Sequence, residues 1–514
     1  MEYLVGIDIG TSGTKTVIFD KKGETISSST MEYELLQPQI GWAEQNPKDW
    51  WDATCKTIKD CISKSGIAPS DIKGIGLSGQ MHGMVLLDKE DKVIRPALLW
   101  CDLRTAAECE EITNIVGIDR IFEITGNPVL PAFTAPKIAW VKNHEKDNFD
   151  KINKVLLPKD YIKFMLTGKY FSEYSDSSGT SMMDIRKREW SEEILEKLGL
   201  RLSQMPGLKE SYEIMGGITK EASILTGLAQ GTPVVGGAGD QAAGAIGNGI
   251  VRPGMISATV GTSGVVFAYT DKVTIDKLGR VQTFCHAIPD TWHVMGVTNG
   301  AGLSFRWLRD NLCELEKLLS QKLDMDTYEL MTKEAEKVEP GCRGLIYLPY
   351  MMGERTPHLN TKAKGVIFGL SSIHEKSDII RAFMEGISYS LKDCLSIIND
   401  MGIKASNIRL SGGGARSELW KQILCDIFAS KVSTVNSKEG GALGVAILAA
   451  VGVGIYNSVE EACDNCISEV STKEPDEKNN AVYEDFYKVY RNLYTCIKEQ
   501  YEITDSILKK NNMK

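Results

Sequence analysis

Two aspartates, Asp8 and Asp240, stand beside glycine-rich turns where a carboxylate can reach a bound ligand. Asp240 follows the glycine-rich stretch 236–239, at the expected start of a helix. An aspartate there can simply cap the helix, a role worth about 1 kcal/mol. Three glycines in four residues exceed what a cap needs, and they allow close approach of a ligand to the backbone. Such a carboxylate can accept a proton from a hydroxyl, as phosphoryl transfer to an alcohol requires.

The tetrapeptide Gly-Thr-Ser-Gly occurs twice, at Gly10–Gly13 and at Gly261–Gly264, about half the chain apart. Each copy follows an apolar, β-prone run, and Asp8 lies just before the first copy. Small residues at a strand end let backbone N–H groups approach an anion, and their hydroxyls can also donate. Both copies could instead be plain turns, in which these residue types are common. The repeat and its spacing favour two similar halves whose loops hold a polyphosphate from both sides.

A third glycine-rich stretch, Gly412–Gly414, lies between an apolar run and an expected helix. It is typical of a nucleotide or phosphate cradle at a helix N-terminus, although an ordinary turn has the same composition. The P-loop signature is absent, because Lys15 follows the first loop without the required spacing. The chain is therefore not expected to be a P-loop enzyme.

The segment Gly74–Gly79 matches the dinucleotide pattern G-x-G-x-x-G letter by letter. That pattern needs a helix directly after it, whereas here Gln80-Met81-His82-Gly83 intervenes and a new strand is expected from Met84. A strand that ends on these side chains resembles one wall of a polar small-molecule pocket. The alternative for His82 is a satisfied histidine in the core.

Composition limits the classes of function. A chain of 514 residues is longer than a single core supports, so two or three domains are expected. The net charge of −9 argues against a nucleic-acid partner. No signal peptide or membrane-spanning stretch is recognisable, and the twelve cysteines are typical of reduced thiols, so we expect a cytoplasmic protein without a membrane partner.

The elements that position these residues alternate between strands and helices. Strands are expected at 3–9, 14–20, 25–34, 72–78, 84–87 and 93–100, and a helix at 47–64. A similar succession follows Gly231, with helices at 377–401 and 418–430. The two halves are expected to divide near residue 245, into 1–245 and 246–514, and to meet at a hinge near Gly244–Gly254. The tail from about residue 458 is expected to be helical, with an apolar stripe that packs on the body.

Together these segments resemble the FGGY carbohydrate kinases, within the actin, hexokinase and Hsp70 superfamily. The resemblance runs essentially end to end and includes Phe133–Trp140, Gly365–Leu370 and Glu385-Gly386. It implies an α/β fold of two duplicated actin-like (ribonuclease H-like) domains with a cleft between them. It also implies ATP and Mg²⁺ as cofactors. Homodimers are common in the family, so a homodimer is expected by analogy.

Within the family, Ser78–Gly83, Leu99–Arg104, Leu156–Tyr161 and Gly353–His358 are similar to the xylulokinase branch. This implies D-xylulose as the acceptor, phosphorylated at its 5-hydroxyl. Gln241 departs from the branch, in which many members carry Asn after the catalytic Asp. Another ketose, polyol or aldonate as acceptor therefore stays open.

The resemblance implies a role for each candidate residue. Asp240 would be the general base, and Asp8 would be the metal ligand and the second catalytic residue. The sugar would contact Gln80, Met81, His82, Trp100, Asp102 and Gln241, and ATP would contact Thr11, Ser12, Lys15, Gly261, Thr262, Gly412, Gly413 and Gly414. An actin-like or Hsp70-like ATPase remains an alternative, but it has no use for a small polar pocket beside Asp240. A sugar-responsive regulator without catalysis is the third alternative.

Overall fold

The computed structural model describes residues 2–437 and 439–511, and its two large sheets organise the chain. The first sheet has the strand Tyr3–Ile9 at its centre, antiparallel to Gly13–Asp20 and parallel to Ile72–Gly79. In spatial order its strands are Ile214–Gly217, Pro233–Val235, Ile72–Gly79, Tyr3–Ile9, Gly13–Asp20 and Thr25–Glu32, with Ala238–Gly239 paired to Ile72–Gly79.

The second sheet repeats this topology. Its central strand Met255–Val260 is antiparallel to Gly264–Thr270 and parallel to Asn407–Gly412. In spatial order the strands are Gln282–Cys285, Trp292–Thr298, Gly264–Thr270, Met255–Val260, Asn407–Gly412, Val432–Val435 and Glu469–Lys473. Each Gly-Thr-Ser-Gly copy thus joins the two antiparallel strands of the corresponding hairpin in its own sheet. The expectation of a duplicated α/β fold with a cleft is confirmed.

Helices cover both sheets, and five two-stranded ribbons lie outside them. The helices are Pro47–Ser65, Ala106–Val116, Ile118–Thr125, Thr134–His144, Lys146–Phe149, Pro158–Thr167, Tyr174–Ser177, Glu192–Leu198, Lys220–Thr226, Asp240–Gly247, Ala301–Leu312, Glu314–Leu323, Thr327–Ala335, Lys376–Asp400, Glu418–Phe428, Gly440–Gly452, Val459–Cys466 and Glu477–Lys510. The ribbons pair Glu44–Gln45 with Ala97–Leu98, Val85–Leu87 with Lys154–Leu156, Phe171–Glu173 with Gly207–Lys209, Met183–Asp184 with Glu189–Trp190, and Ile346–Leu348 with Val366–Phe368.

The helix Gly440–Gly452 comes from the second half of the chain but lies on the first sheet. A Cβ on Gly6 would stand 2.0 Å from the Ala442 carbonyl oxygen, and one on Gly76 would stand 2.0 Å from that of Val445. Only glycine permits this contact between helix backbone and strand backbone. The helix joins Leu4 and other first-sheet residues in one hydrophobic core.

Two expected elements differ from the structure. The strand expected at 93–100 is reduced to Ala97–Leu98, because Pro96 has no N–H for a ladder and the Arg95 side chain turns into ion pairs. The tail is not wholly helical, since Glu469–Lys473 forms the edge strand of the second sheet. The apolar stripe of the last helix does pack on the body, where Tyr490 and Leu493 are buried. No helix among the described residues is long and apolar enough to cross a membrane.

Candidate active site

Strand register in the first sheet brings the two candidate aspartates to one edge. Asp8 pairs with Ser78 on one neighbouring strand, and Ala238 pairs with Ser78 from the other side. The chain turns into the helix Asp240–Gly247 two residues after Ala238, so Asp240 is its first residue. A serine hydroxyl fixes this turn, since Ser175 Oγ accepts from the Gly239 N–H at 3.1 Å.

Asp8 is partly buried, and its Oδ1 has no hydrogen-bond partner among the described residues. Burial raises the pKa of Asp8, while the Ser78 hydroxyl and the Lys15 ammonium oppose that rise. A buried carboxylate with a free oxygen is costly unless another group binds it. Asp8 therefore has the environment of a ligand-binding carboxylate.

Asp240 lies within electrostatic range of Asp8. Burial, followed by repulsion from Asp8, raises the pKa of Asp240 to about 7. The backbone and side chain of Gln241 donate to the carboxylate and partly offset the rise. A carboxylate with a pKa near neutrality can take a proton in one step and release it in the next.

Lys15 and Glu439 form an ion pair at the edge of this site. Lys15 pairs with Asp8 in the hairpin register, and Glu439 is the residue before the helix Gly440–Gly452. A Cβ on Gly441 would lie 3.5 Å from Asp8 Oδ2, so the start of this helix faces the aspartate. Glu439 thus lies at the edge of the site, and the motif analysis assigned it no role.

The first loop is held by a network of hydrogen bonds. The Thr11 hydroxyl donates to Gln80 Oε1 at 3.1 Å and accepts from Trp100 Nε1 at 2.9 Å. Gln45 Nε2 donates to the Thr11 carbonyl at 2.7 Å, and Gln45 Oε1 accepts from Trp50 Nε1 and Gln80 Nε2. The Thr11 hydroxyl is thereby engaged within the protein. Gln80 is buried, and through the Thr11 hydroxyl it supports both the loop and the Trp100 ring.

Met81 and His82 lie beside the turn that carries Asp240, and both side chains are buried. The Met81 side chain fills the space that a Cβ on Gly239 would need. His82 Nδ1 lies 2.7 Å from the Gly179 carbonyl oxygen, so it carries the proton and leaves Nε2 as an acceptor. Burial, together with Lys137, lowers the pKa of His82 to about 3, so the ring is neutral at pH 7.

His82 is held in an unusual backbone conformation by two neighbours that the motif analysis assigned no role. Its φ is 67°, a left-handed value that a non-glycine residue rarely adopts. The Lys137 ammonium donates to the His82 carbonyl at 3.0 Å and also to the Ala132 carbonyl. The Thr134 hydroxyl donates to the same His82 oxygen at 3.2 Å. Lys137 is fully buried and forms no ion pair among the described residues.

The carboxylate of Asp102 is enclosed by hydrogen-bond donors. It is fully buried; its Oδ2 accepts from the Ala43 N–H at 2.6 Å, and both of its oxygens accept from Arg104. With both oxygens engaged, the expected direct sugar contact would require this network to break. Asp102 instead fixes the segment that carries Trp100, which is 37% exposed.

The second loop and the third glycine stretch meet, as a nucleotide site requires. Val260 and Gly412 are partners in adjacent parallel strands, so Gly261 and Thr262 start beside Gly412–Gly414. Gly412 has a φ of 80°, and a Cβ there would stand 2.5 Å from the Val260 carbonyl oxygen. Gly412 and Gly413 are exposed, and Thr262 is exposed as well. Ser12 of the first loop is likewise exposed.

The residues at Asp8 fit a magnesium ion. Asp8 Oδ1 is an unpartnered carboxylate oxygen, and the nearby Asp240 carboxylate adds repulsion that a cation would relieve. No cluster of three or more His, Cys, Asp or Glu that could hold a metal occurs within residues 2–437 and 439–511. Mg²⁺ in kinases is commonly held by one or two carboxylates together with waters and substrate phosphates, which agrees with this arrangement.

Comparison with known proteins identifies the family of this chain. Residues 3–247 match the N-terminal domain model of the FGGY family of carbohydrate kinases, and residues 256–453 match its C-terminal domain model. A xylulose kinase of Bacillus subtilis is 37% identical over 97% of this chain and 98% of the relative. A gluconokinase of the same organism is 33% identical over 97% of each chain.

A solved structure described as a xyloylose kinase from Brucella ovis has a TM-score of 0.88 and 34% identity, and the alignment covers 97% of this chain and all of the other. Both family models and the duplicated sheets lead to one conclusion. The chain belongs to the FGGY family of carbohydrate kinases and phosphorylates a sugar with ATP.

Proposed function

We propose that this kinase transfers the γ-phosphoryl group of ATP to the 5-hydroxyl of D-xylulose, with Asp240 as the general base. The observation that carries the proposal is the position of Asp240. It is the first residue of a helix, beside Asp8, Met81 and His82, with its pKa raised to about 7. The names of the relatives support a pentulose as the acceptor.

The acceptor sugar lies against His82, Trp100 and Gln241. His82 Nε2 accepts a hydrogen bond from a sugar hydroxyl, because Nδ1 already donates to Gly179. The indole of Trp100 is held by Thr11, and its exposed face packs on the sugar ring or chain. Asp240 and Gln241 then face the hydroxyl to be phosphorylated.

ATP lies across the cleft, with its adenosine at Gly412–Gly414 and its phosphates between the two Gly-Thr-Ser-Gly loops. Asp8 is the proposed magnesium ligand, and the ion neutralises charge on the phosphates when bound. The sugar oxygen forms a bond to the γ-phosphorus while the bond from that phosphorus to the ADP oxygen breaks. The hydroxyl proton passes to Asp240, so ADP leaves with the bonding electron pair.

The residue roles are tested with Asp240→Asn and Asp240→Ala. Either change should lower kcat by about 10²–10⁴-fold, the usual contribution of a general base, while ATP affinity changes little. Asp150→Asn removes an exposed aspartate paired with Lys146 and serves as the matched control. Turnover of Asp240→Asn near that of the control would remove Asp240 from the role of base.

The acceptor is tested with D-xylulose, D-ribulose, glycerol and gluconate in a coupled ADP-release assay. D-xylulose should give the highest kcat/KM. A higher value for gluconate would assign the chain to the gluconokinase activity carried by one of its relatives. ATP turnover that none of these acceptors stimulates would contradict both assignments.

A further inference from the structure

One arginine in the second half has no partner for its charge. Arg355 is half-buried, and its guanidinium forms no hydrogen bond or ion pair with any residue in 2–437 or 439–511. A guanidinium has five N–H donors, and burial of such a group without partners is unfavourable. Burial accordingly lowers the pKa of Arg355. The Arg355 guanidinium is therefore free to bind an anion.

The backbone around Arg355 is rigidly fixed, so the free guanidinium does not result from a loose loop. Glu354 is buried, and its carboxylate accepts from the Thr298 hydroxyl at 2.7 Å and from the Asn299 and Arg355 N–H groups. Thr356 pairs through its N–H and hydroxyl with Val297, at 3.0 and 3.1 Å. The nearest carboxylate, that of Glu354, is therefore already engaged by other donors.

This loop lies between the phosphate site and the sugar site. Thr298, which holds Glu354, is the register partner of Gly264, the last residue of the second loop. On the other side, Arg355 is close enough to His82 to lower its pKa. The His82 ring also packs 5.9 Å from that of Phe284 in the second sheet, so the two halves meet here.

We propose that Arg355 binds the phosphoryl group as it passes from ATP to the sugar, and the phosphate of the product. This inference rests on the proposed function, in which the acceptor is a neutral sugar. A neutral sugar offers no charge to a guanidinium, whereas the transferred group carries negative charge on three oxygens. While the sugar oxygen bonds to phosphorus and the ADP oxygen leaves, the guanidinium donates hydrogen bonds to the three oxygens of the phosphoryl group. It stays protonated throughout and does not act as a base. The second half thereby supplies a cation opposite Asp8 and Asp240.

The test compares Arg355→Met and Arg355→Lys with the wild-type enzyme. Arg306→Met is the matched control, because Arg306 is an exposed arginine of the same half. Arg355→Met should lower kcat by about 10²–10³-fold, the usual loss for one preorganised donor to developing charge. The inhibition constant of the phosphorylated sugar should rise at least tenfold, and the KM of the free sugar should change by less than threefold. Arg355→Lys should recover part of the loss.

Two further measurements separate this role from a structural one. The thermal midpoint of Arg355→Met should not fall, because the variant removes a buried charge without partners. Guanidinium ions at millimolar concentration should partly restore turnover to Arg355→Ala. Unchanged kcat and unchanged product inhibition in Arg355→Met would overturn the proposal. The inhibition constant is measured with the phosphorylated form of whichever neutral acceptor the panel selects. If the panel selects gluconate instead, a raised KM for gluconate with an unchanged kcat in Arg355→Met would overturn the proposal, because the arginine would then bind the acceptor carboxylate.

Discussion

Replacing Lys137 by methionine separates the stability of the fold from the geometry of the sugar pocket. Lys137 is buried, and burial lowers its pKa from 10.5 to about 7. At about 1.4 kcal/mol per pKa unit, holding this ammonium in the folded state costs about 5 kcal/mol at pH 7 and below. The variant removes that cost and forfeits two charged hydrogen bonds, each worth about 1.5–3 kcal/mol. We therefore expect the free energy of unfolding at pH 7 to change by less than about 2 kcal/mol.

The lowered pKa of Lys137 also determines the direction in which the free energy of unfolding changes with pH. The unfolded lysine titrates near 10.5 and the folded one near 7, so the unfolded state binds more protons between these values. The stability of the wild-type protein therefore rises with pH by about 1.4 kcal/mol per unit in this interval, and Lys137→Met lacks that rise. Between pH 7 and pH 9 the variant should lose about 2 kcal/mol relative to the wild type. Urea unfolding at the two pH values measures this difference.

The sugar site should respond differently. Without Lys137, the His82 carbonyl keeps only the hydrogen bond from the Thr134 hydroxyl. The left-handed backbone of His82, with a φ of 67°, can then move to an ordinary conformation and release about 1–2 kcal/mol of strain. A displacement of about 1 Å in a substrate-positioning group costs up to about 10²-fold in rate. We expect kcat/KM for the acceptor to fall about 10–100-fold, with the KM for ATP within twofold of the wild type. Thr134→Val, which removes the other donor, should give a smaller loss in the same direction.

The opposite result would refute the reasoning. If Lys137→Met lost more than about 4 kcal/mol of stability at pH 7 while acceptor kinetics stayed normal, the lysine would hold the fold and not the pocket. An equal rise of both KM values would point to a general distortion of the cleft.

The remaining predictions concern the two aspartates. Because the pKa of Asp240 is about 7 and the base must be ionised, kcat/KM for the sugar should fall tenfold per pH unit on the acidic side of that value. Burial is the larger cause of the raised pKa of Asp240, and repulsion from Asp8 adds to it. A cation at Asp8 removes that repulsion, so saturating Mg²⁺ should move the acidic limb to lower pH, and an unmoved limb would contradict the coupling. Asp8→Asn should weaken Mn²⁺ binding in the nucleotide complex at least tenfold by electron paramagnetic resonance; unchanged affinity would remove Asp8 as the metal ligand.

The positions of the main strands along the chain and the small-residue loops at their ends could be predicted from sequence. Local composition predicts where two of these strands end. One ends in the small-residue loop after Asp8, and the other ends in the glycines before Asp240. Parallel pairing of the strands 3–9 and 72–79 then brings Asp8 beside Ser78. The short strands were less predictable, because in 93–100 a single proline outweighs the apolar pattern.

The residues that support the site could not be found in this way. Lys137, Glu439 and Arg355 reach the cleft from distant parts of the chain, and local periodicity does not record contacts between distant side chains. The same limit applies to Asp102, whose motif suggested a sugar ligand although its carboxylate is engaged by Arg104. Only the positions of the neighbouring hydrogen-bond donors show whether an aspartate is free to bind a sugar or is already engaged within the protein.

The contact of the helix Gly440–Gly452 with the first sheet means that the two halves are alike in topology but not autonomous. A fragment that ended near residue 245 would expose the backbone at Gly6 and Gly76, with no side chain there to cover it. It would also leave Leu4 and its neighbours without their apolar partners from the helix. The first half of this kinase is therefore expected to be unstable when it is expressed without the helix Gly440–Gly452.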